Sequence, residues 1–257
     1  MNLNKEMELL ALQTRNSLGI GMFDKIDIFD FLSNVEGISL MIVEMSDKIS
    51  GILLRRNEES LIVINSKKTL GHQHFTAAHE YYHFKFDRNI SHRICPIKKF
   101  EDEYEEEYKA NQFAVNFLLP KEAVDFILSR RIENRKIELD DVIFLEQYFR
   151  VSHQLMLIRL KELGYINKGQ YEEFKADVIR RAYELGYPTD IYKPTNDRGI
   201  KVYSKYLELA TKLYEQGRIS PGKYEELLIE GGYADIVFNV PEEIEGATNE
   251  FEDAGIF

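Results

Sequence analysis

Apolar positions along this chain change their period more than once, and the changes outline its elements. Met7, Leu9, Leu10 and Leu12 fall at helical spacing, and the run stops at Gly19, predicting a first helix over residues 3–18 with a glycine cap. One or two helical turns are predicted over residues 28–35, closed by Gly37. Between residues 38 and 65 the pattern changes to short runs rich in Ile, Leu and Val, at 38–44, 49–55 and 61–65. Polar stretches at Ser46-Asp47-Lys48 and Asn57-Glu58-Glu59 part them, which predicts three strands in an antiparallel meander. Helical spacing returns at 69–86 through Phe75, Ala78, Tyr82 and Phe86, and again at Ala110, Phe113, Ala114, Phe117 and Leu118 until Pro120 stops it. Residues 139–149, a turn at Arg150-Val151 and a helix from an N-capping Ser152 to Gly164 have the outline of a helix-turn-helix. Helices are expected over 168–185 and 201–216, parted by a proline-bearing loop at 188–199, and a last one from Ser220-Pro221 to Glu230. From Asn239 onward Glu and Asp mix with Pro, Gly, Asn and Thr, the composition of a disordered tail.

The chemistry lies where the strands hand over to the helix at 69–86. His79, Glu80, Tyr81, Tyr82 and His83 read HExxH, which sets two imidazoles one turn apart on one helical face, with a carboxylate beside them. The rings can converge on one ion while Glu80 reaches water bound to it, the arrangement of a zinc hydrolase. A strand edge next to such a helix also offers an extended peptide something to pair with. Farther on, the apolar stripe of the Ala110–Leu118 helix projects back over Glu103, Glu106 and Glu107. One of these carboxylates then points inward, which is costly unless it is paired or binds metal. Two histidines and one such carboxylate leave a fourth position open, as in catalytic rather than structural zinc sites; spacing does not choose among the three glutamates.

Composition narrows the classes. At 257 residues and 44% hydrophobic, the chain can bury a sizeable core. Its one cysteine, Cys95, excludes an internal disulfide, and no stretch approaches a membrane span or a signal peptide, so a cytoplasmic protein is expected. A net charge of −11 repels phosphate backbones and does not point to nucleic acid. The second helix of the 139–164 pair carries only Arg159 and Lys161 against Glu162, little positive charge for a DNA face.

HFTAAHEYYHFKFD (74–87) followed by EYKANQFAVNFLLP (107–120) resembles the ImmA/IrrE family of metallo-endopeptidases. The resemblance covers roughly residues 5–165. It implies an α+β fold: a zincin-like core, with a small antiparallel or mixed sheet and the HExxH helix, followed by a mostly helical C-terminal region. The chain would divide into a metallopeptidase domain at 1–165, a helical extension at 166–238 and an acidic tail at 239–257. It also implies His79, His83 and Glu107 as metal ligands, Glu80 as catalytic base, and one Zn²⁺ per chain, a donor set that manganese or iron also suits. Asp87 stands where a histidine is common in relatives. The implied substrate is a helix-turn-helix repressor, often the neighbouring gene's product in a phage or mobile element, whose cleavage relieves repression. The rival readings are a regulator that binds the repressor without cutting it and a DNA-binding transcription factor built on residues 139–164.

Overall fold

A computed structural model describes residues 2–56, 59–87, 92–96, 105–133, 135–203 and 205–238, with backbone alone over 92–96 and at Asp235. Glu103 and the 239–257 tail lie outside the described residues. The fold is α+β, a small mixed sheet among many helices. Two compact units divide the chain after residue 206, so residues 166–206 fall in the first unit.

Helices α1 (Leu3–Ser17) and α2 (Ile28–Ser33) precede strands β1 (Ile38–Val43), β2 (Ile49–Arg56) and β3 (Glu59–Asn65). Helix α3 (Leu70–Phe86), strand β4 (His92–Pro96) and helix α4 (Glu105–Leu118) follow. The remainder of the first unit holds α5 (Lys121–Ile132), α6 (Leu139–Phe149), α7 (His153–Glu162), α8 (Lys168–Glu173), α9 (Val178–Glu184) and the two-residue strand β5 (Lys201–Val202). Helix α10 (Lys205–Glu215) crosses into the second unit, which continues with α11 (Pro221–Glu230) and α12 (Ala234–Phe238). Within that second unit Tyr214 and Tyr224 stack at 4.7 Å between α10 and α11.

The sheet runs in the order β4-β2-β3-β1-β5, which corrects the expected meander. β3 lies between β1 and β2, parallel to β1 and antiparallel to β2. As the central strand it is covered on both faces, with Ile62 and Ile64 fully buried, while β1 alternates buried and half-buried positions. Side-chain alternation tells a strand's faces but not its neighbours, so the pattern could not exclude this order. The β1–β2 connection passes the end of β3 and is held there by the buried Asn65. Its Oδ1 accepts from the Met45 amide at 3.0 Å, and its Nδ2 donates to the carbonyls of Ser46 and Ile49 at 3.0 and 2.7 Å. One buried amide thereby satisfies backbone groups that a tight hairpin would have paired.

Two further expectations are corrected. Residues 201–202 begin no helix: they pair with Ile42 and Met41 at the edge of β1 that β3 leaves open, with Val202 buried. The helix predicted over 168–185 is two, because the chain breaks at 174–177, where Phe174 is buried and Asp177 takes a left-handed conformation at φ 56°. In the α6–α7 pair Ser152 caps α7 as predicted, accepting from the Leu155 amide at 3.3 Å. Yet Leu155, Met156, Leu157, Arg159 and Leu160 are all buried, and Arg159 donates to the Leu119 carbonyl and to Asn116.

Candidate metal centre

Helices α3 and α4 are joined by an aromatic seam. Phe113 and Phe117 lie parallel at 5.3 Å on α4, Tyr82 meets Phe113 at 5.5 Å, and Tyr81 meets Phe117 at 5.7 Å. Both phenylalanines are fully buried, each stabilising the contact by roughly 1.5–3 kcal/mol. The seam fixes the register of the two helices and sets Glu107, in the first turn of α4, over the HExxH turn of α3. Gly71 lets α3 approach α7, because a Cβ there would stand 2.6 Å from the Ser152 amide nitrogen.

The structure brings His79, His83 and Glu107 together, one potential ligand atom of each lying within 4.8 Å of the others. His79 Nε2 is 3.1 Å from His83 Nε2 and 3.3 Å from Glu107 Oε2, and His83 Nε2 is 3.8 Å from Glu107 Oε1. The outer nitrogens decide what this means. His79 Nδ1 faces the Asn111 carbonyl oxygen at 2.9 Å, and His83 Nδ1 faces the Asp87 carboxylate at 3.3 Å, so both Nδ1–H groups donate. In neutral rings both Nε2 atoms then present lone pairs to each other and to a carboxylate. Such a set calls for positive charge among the three groups, supplied by a proton or by a metal ion. Ligands tetrahedrally placed about 2.0–2.1 Å from Zn²⁺ stand roughly 3.3 Å apart, close to these separations, so the residues fit the ion that the sequence implies.

Electrostatics agree. Burial works against an imidazolium at His79, but the hydrogen bond that the protonated ring donates to Glu107, the charge of Glu80 and the Asn111 contact outweigh it and hold the ring above its ordinary pKa. His72, two turns earlier on the same helix, is pushed down to about 4 by burial and by the neighbouring Lys68 and His79.

Glu80 is fully buried beside β2. A Cβ on Gly51 would lie 2.6 Å from Glu80 Oε1 and 2.7 Å from Thr76 Cγ2, so the space this carboxylate fills exists because residue 51 has no side chain. Of the other two glutamates weighed as ligands, Glu106 turns to Tyr82 Oη and Lys109, and Glu103 lies outside the described residues. Tyr108, one residue after Glu107, hydrogen-bonds Asn4 of α1, and His153 is held by Glu146 and the Phe174 carbonyl. Tyr104 and the His92 side chain lie outside the described residues. Asn111 and Asp87, which orient the two rings, carry a legible signal: each lies four residues after the ligand it accompanies, Glu107 or His83.

Residues 35–161 match the model of the IrrE N-terminal-like domain, a peptidase family. No curated protein matches the chain significantly. Among solved structures, a Mycobacterium tuberculosis transcriptional regulator is similar with a TM-score of 0.41 and 17% identity, over 61% of this chain and 46% of that one. The match thus spans less than half of the regulator's length.

Proposed function

Because the chain belongs, through residues 35–161, to the IrrE N-terminal-like peptidase family, we propose that it is a zinc-dependent endopeptidase acting on a helix-turn-helix repressor. The observation that carries the reading is the pair of Nε2 atoms 3.1 Å apart, both of whose Nδ1–H groups are already donated to Asn111 and Asp87. His79, His83 and Glu107 would hold the ion. Zn²⁺ bound there supplies a water with a pKa near neutrality and polarisation of a peptide carbonyl. Glu80, held in the space beside Gly51, takes the proton from the attacking water on a carboxylate oxygen and passes it to the leaving amine. Asp87 and Asn111 fix the tautomer and the orientation of the two rings.

The α6–α7 pair supports packing over DNA reading. Of α7's charged residues, Arg159 is buried and bonded to α4 and its flanking carbonyl, which leaves Lys161 beside Glu162 on the exposed face. The repressor as substrate comes from the family resemblance.

The test is Glu80→Gln. Metal content by elemental mass spectrometry should stay at one equivalent while cleavage of the neighbouring-gene repressor falls about 10²–10⁴-fold. Full activity in that variant would remove the mechanism. A wild type that holds zinc and binds the repressor without cutting it would establish the non-catalytic regulator instead.

A further inference from the structure

Strand β2 and helix α3 run side by side in the same direction. Ser50 Oγ lies 3.1 Å from His72 Nε2, Gly51 faces Thr76 and Glu80, and Arg55 donates to the carbonyls of Phe84 and Asp87. Along that face of α3 the rings of His72, Phe75, His79 and His83 form one row, with successive centroids 6.5, 6.3 and 4.8 Å apart. At the His72 end lies a cavity of about 620 Å³. Its lining includes Ile191, Tyr192, Lys175 and Arg180 and, as the one acid among the described residues, Asp177. His72 belongs both to the cavity and to the row of rings that leads to the metal ligands.

We propose that this cavity is a specificity pocket that takes an acidic side chain of the substrate about three residues from the scissile bond. The spacing follows from the helix. His72 and His79 are seven residues apart, a rise of about 10.5 Å, which an extended peptide covers in about three residues. The charge follows from the cations. On a chain of net charge −11, exposed Lys175 and Arg180 line the cavity, Lys175 paired with Glu172 and standing 4.5 Å over the Tyr171 ring, Arg180 paired with Glu184. Such pairs are worth little, so a substrate carboxylate displaces them at small cost and gains two cations. The apolar wall suits the stem of a glutamate. The proposal rests on the peptidase reading, since it places the pocket relative to a cleaved bond.

A randomised peptide pool, incubated with the zinc-loaded wild type and read by mass spectrometry, should show acidic residues enriched about threefold at the third position on one side of the cut. The double variant Lys175→Glu with Arg180→Glu, both on the exposed surface, should reverse the preference to Lys and Arg at that position. No acidic enrichment at that position, or the same enrichment in the double variant, overturns the pocket. A second readout separates this failure from that of the peptidase reading. Fluorescein-labelled pools carrying either Glu or Lys are titrated against Glu80→Gln, followed by anisotropy. If wild type cuts nothing while the Glu pool binds more tightly and the double variant reverses that order, the pocket stands and peptide hydrolysis falls; equal binding of both pools overturns the pocket.

Discussion

Two buried histidine–carboxylate clusters lie in the first unit, and their hydrogen bonds separate them. Around Glu146, one proton shared within the His153–Glu146 pair gives every contact a donor and an acceptor. His153 Nδ1 meets Glu146 Oε2 at 2.7 Å, His153 Nε2 meets the Phe174 carbonyl at 2.9 Å, and the Tyr192 hydroxyl donates to Glu146 Oε1. That cluster is complete and ties α6, α7, the α8 end and the Asp190–Tyr192 turn together. At His79, His83 and Glu107 the protons are committed outward and the lone pairs face inward. Both clusters set a histidine beside a carboxylate, each group buried or half-buried, so residue type and burial alone do not mark a metal site. The direction of the protons does.

The largest expected difference between them is in metal content. His79→Ala should lose the one equivalent of zinc and all cleavage, whereas His153→Leu should keep the metal. Ligand linkage at a thousandfold excess of free zinc over Kd contributes about 4 kcal/mol. A chelator should therefore lower the Tm of wild type by roughly 8–16 °C and leave His79→Ala unmoved, as differential scanning calorimetry would read. An equal drop in His79→Ala would place the ion elsewhere.

His153→Leu tests the closed cluster by stability. It leaves the Glu146 carboxylate, already raised in pKa by burial, without its strongest partner. Removing one member of a buried pair costs about 3–5 kcal/mol, to be seen in the urea midpoint at unchanged zinc content. A loss of zinc in this variant would tie the two clusters together and break the contrast.

Acidification should reach the same helix through histidines of neither cluster. His72 and His74 are both pushed down to about 4, chiefly by burial. The unfolded chain takes up these protons near pH 6.5 and the folded chain only near pH 4. Their contribution is therefore full above pH 6.5 and is lost as pH falls from there towards 4, by up to about 3 kcal/mol for each. His79, raised in the metal-free protein, acts in the opposite sense: its contribution is present below pH 6.5 and is lost as pH rises through its folded value. Urea unfolding with a chelator between pH 7.5 and 4.5, on wild type and His74→Gln, should show a fall that is smaller in the variant. A flat wild-type profile would refute the assignment of two neutral buried rings.

Much of the candidate metal centre was legible because it is local. HExxH fixes two candidate ligands by helical spacing, and the Ala110–Leu118 stripe narrowed the third to three glutamates before the family resemblance chose Glu107. The sheet was less legible because strand order depends on contacts distant in sequence. Nothing in the run 38–65 announces that Asn65 will hold the β1–β2 connection, or that residues 201–202 will close the β1 edge. Gly51 reads as an ordinary strand glycine until Glu80 is seen in the space it leaves. The break at 174–177 escaped for a similar reason: Phe174 continues an acceptable helical pattern, but its carbonyl is fixed by His153 from another helix.

The smallest effect concerns how the rings are held. Asp87 accepts from His83 and Asn111 from His79, one through a carboxylate and one through an amide. A charged acceptor makes the ring a more basic ligand, whereas a neutral one mainly orients it. Asp87→Asn should weaken zinc binding about 10–100-fold, measured by competition with a chelator, and Asn111→Ala should fall at the lower end of that range. Replacing Asp87 by His should retain tighter binding than Asp87→Ala if its ring can accept the His83 proton. Equal affinities for Asp87→Asn, Asp87→Ala and wild type would mean that packing alone holds His83, and that the inward direction of its lone pair owes nothing to Asp87.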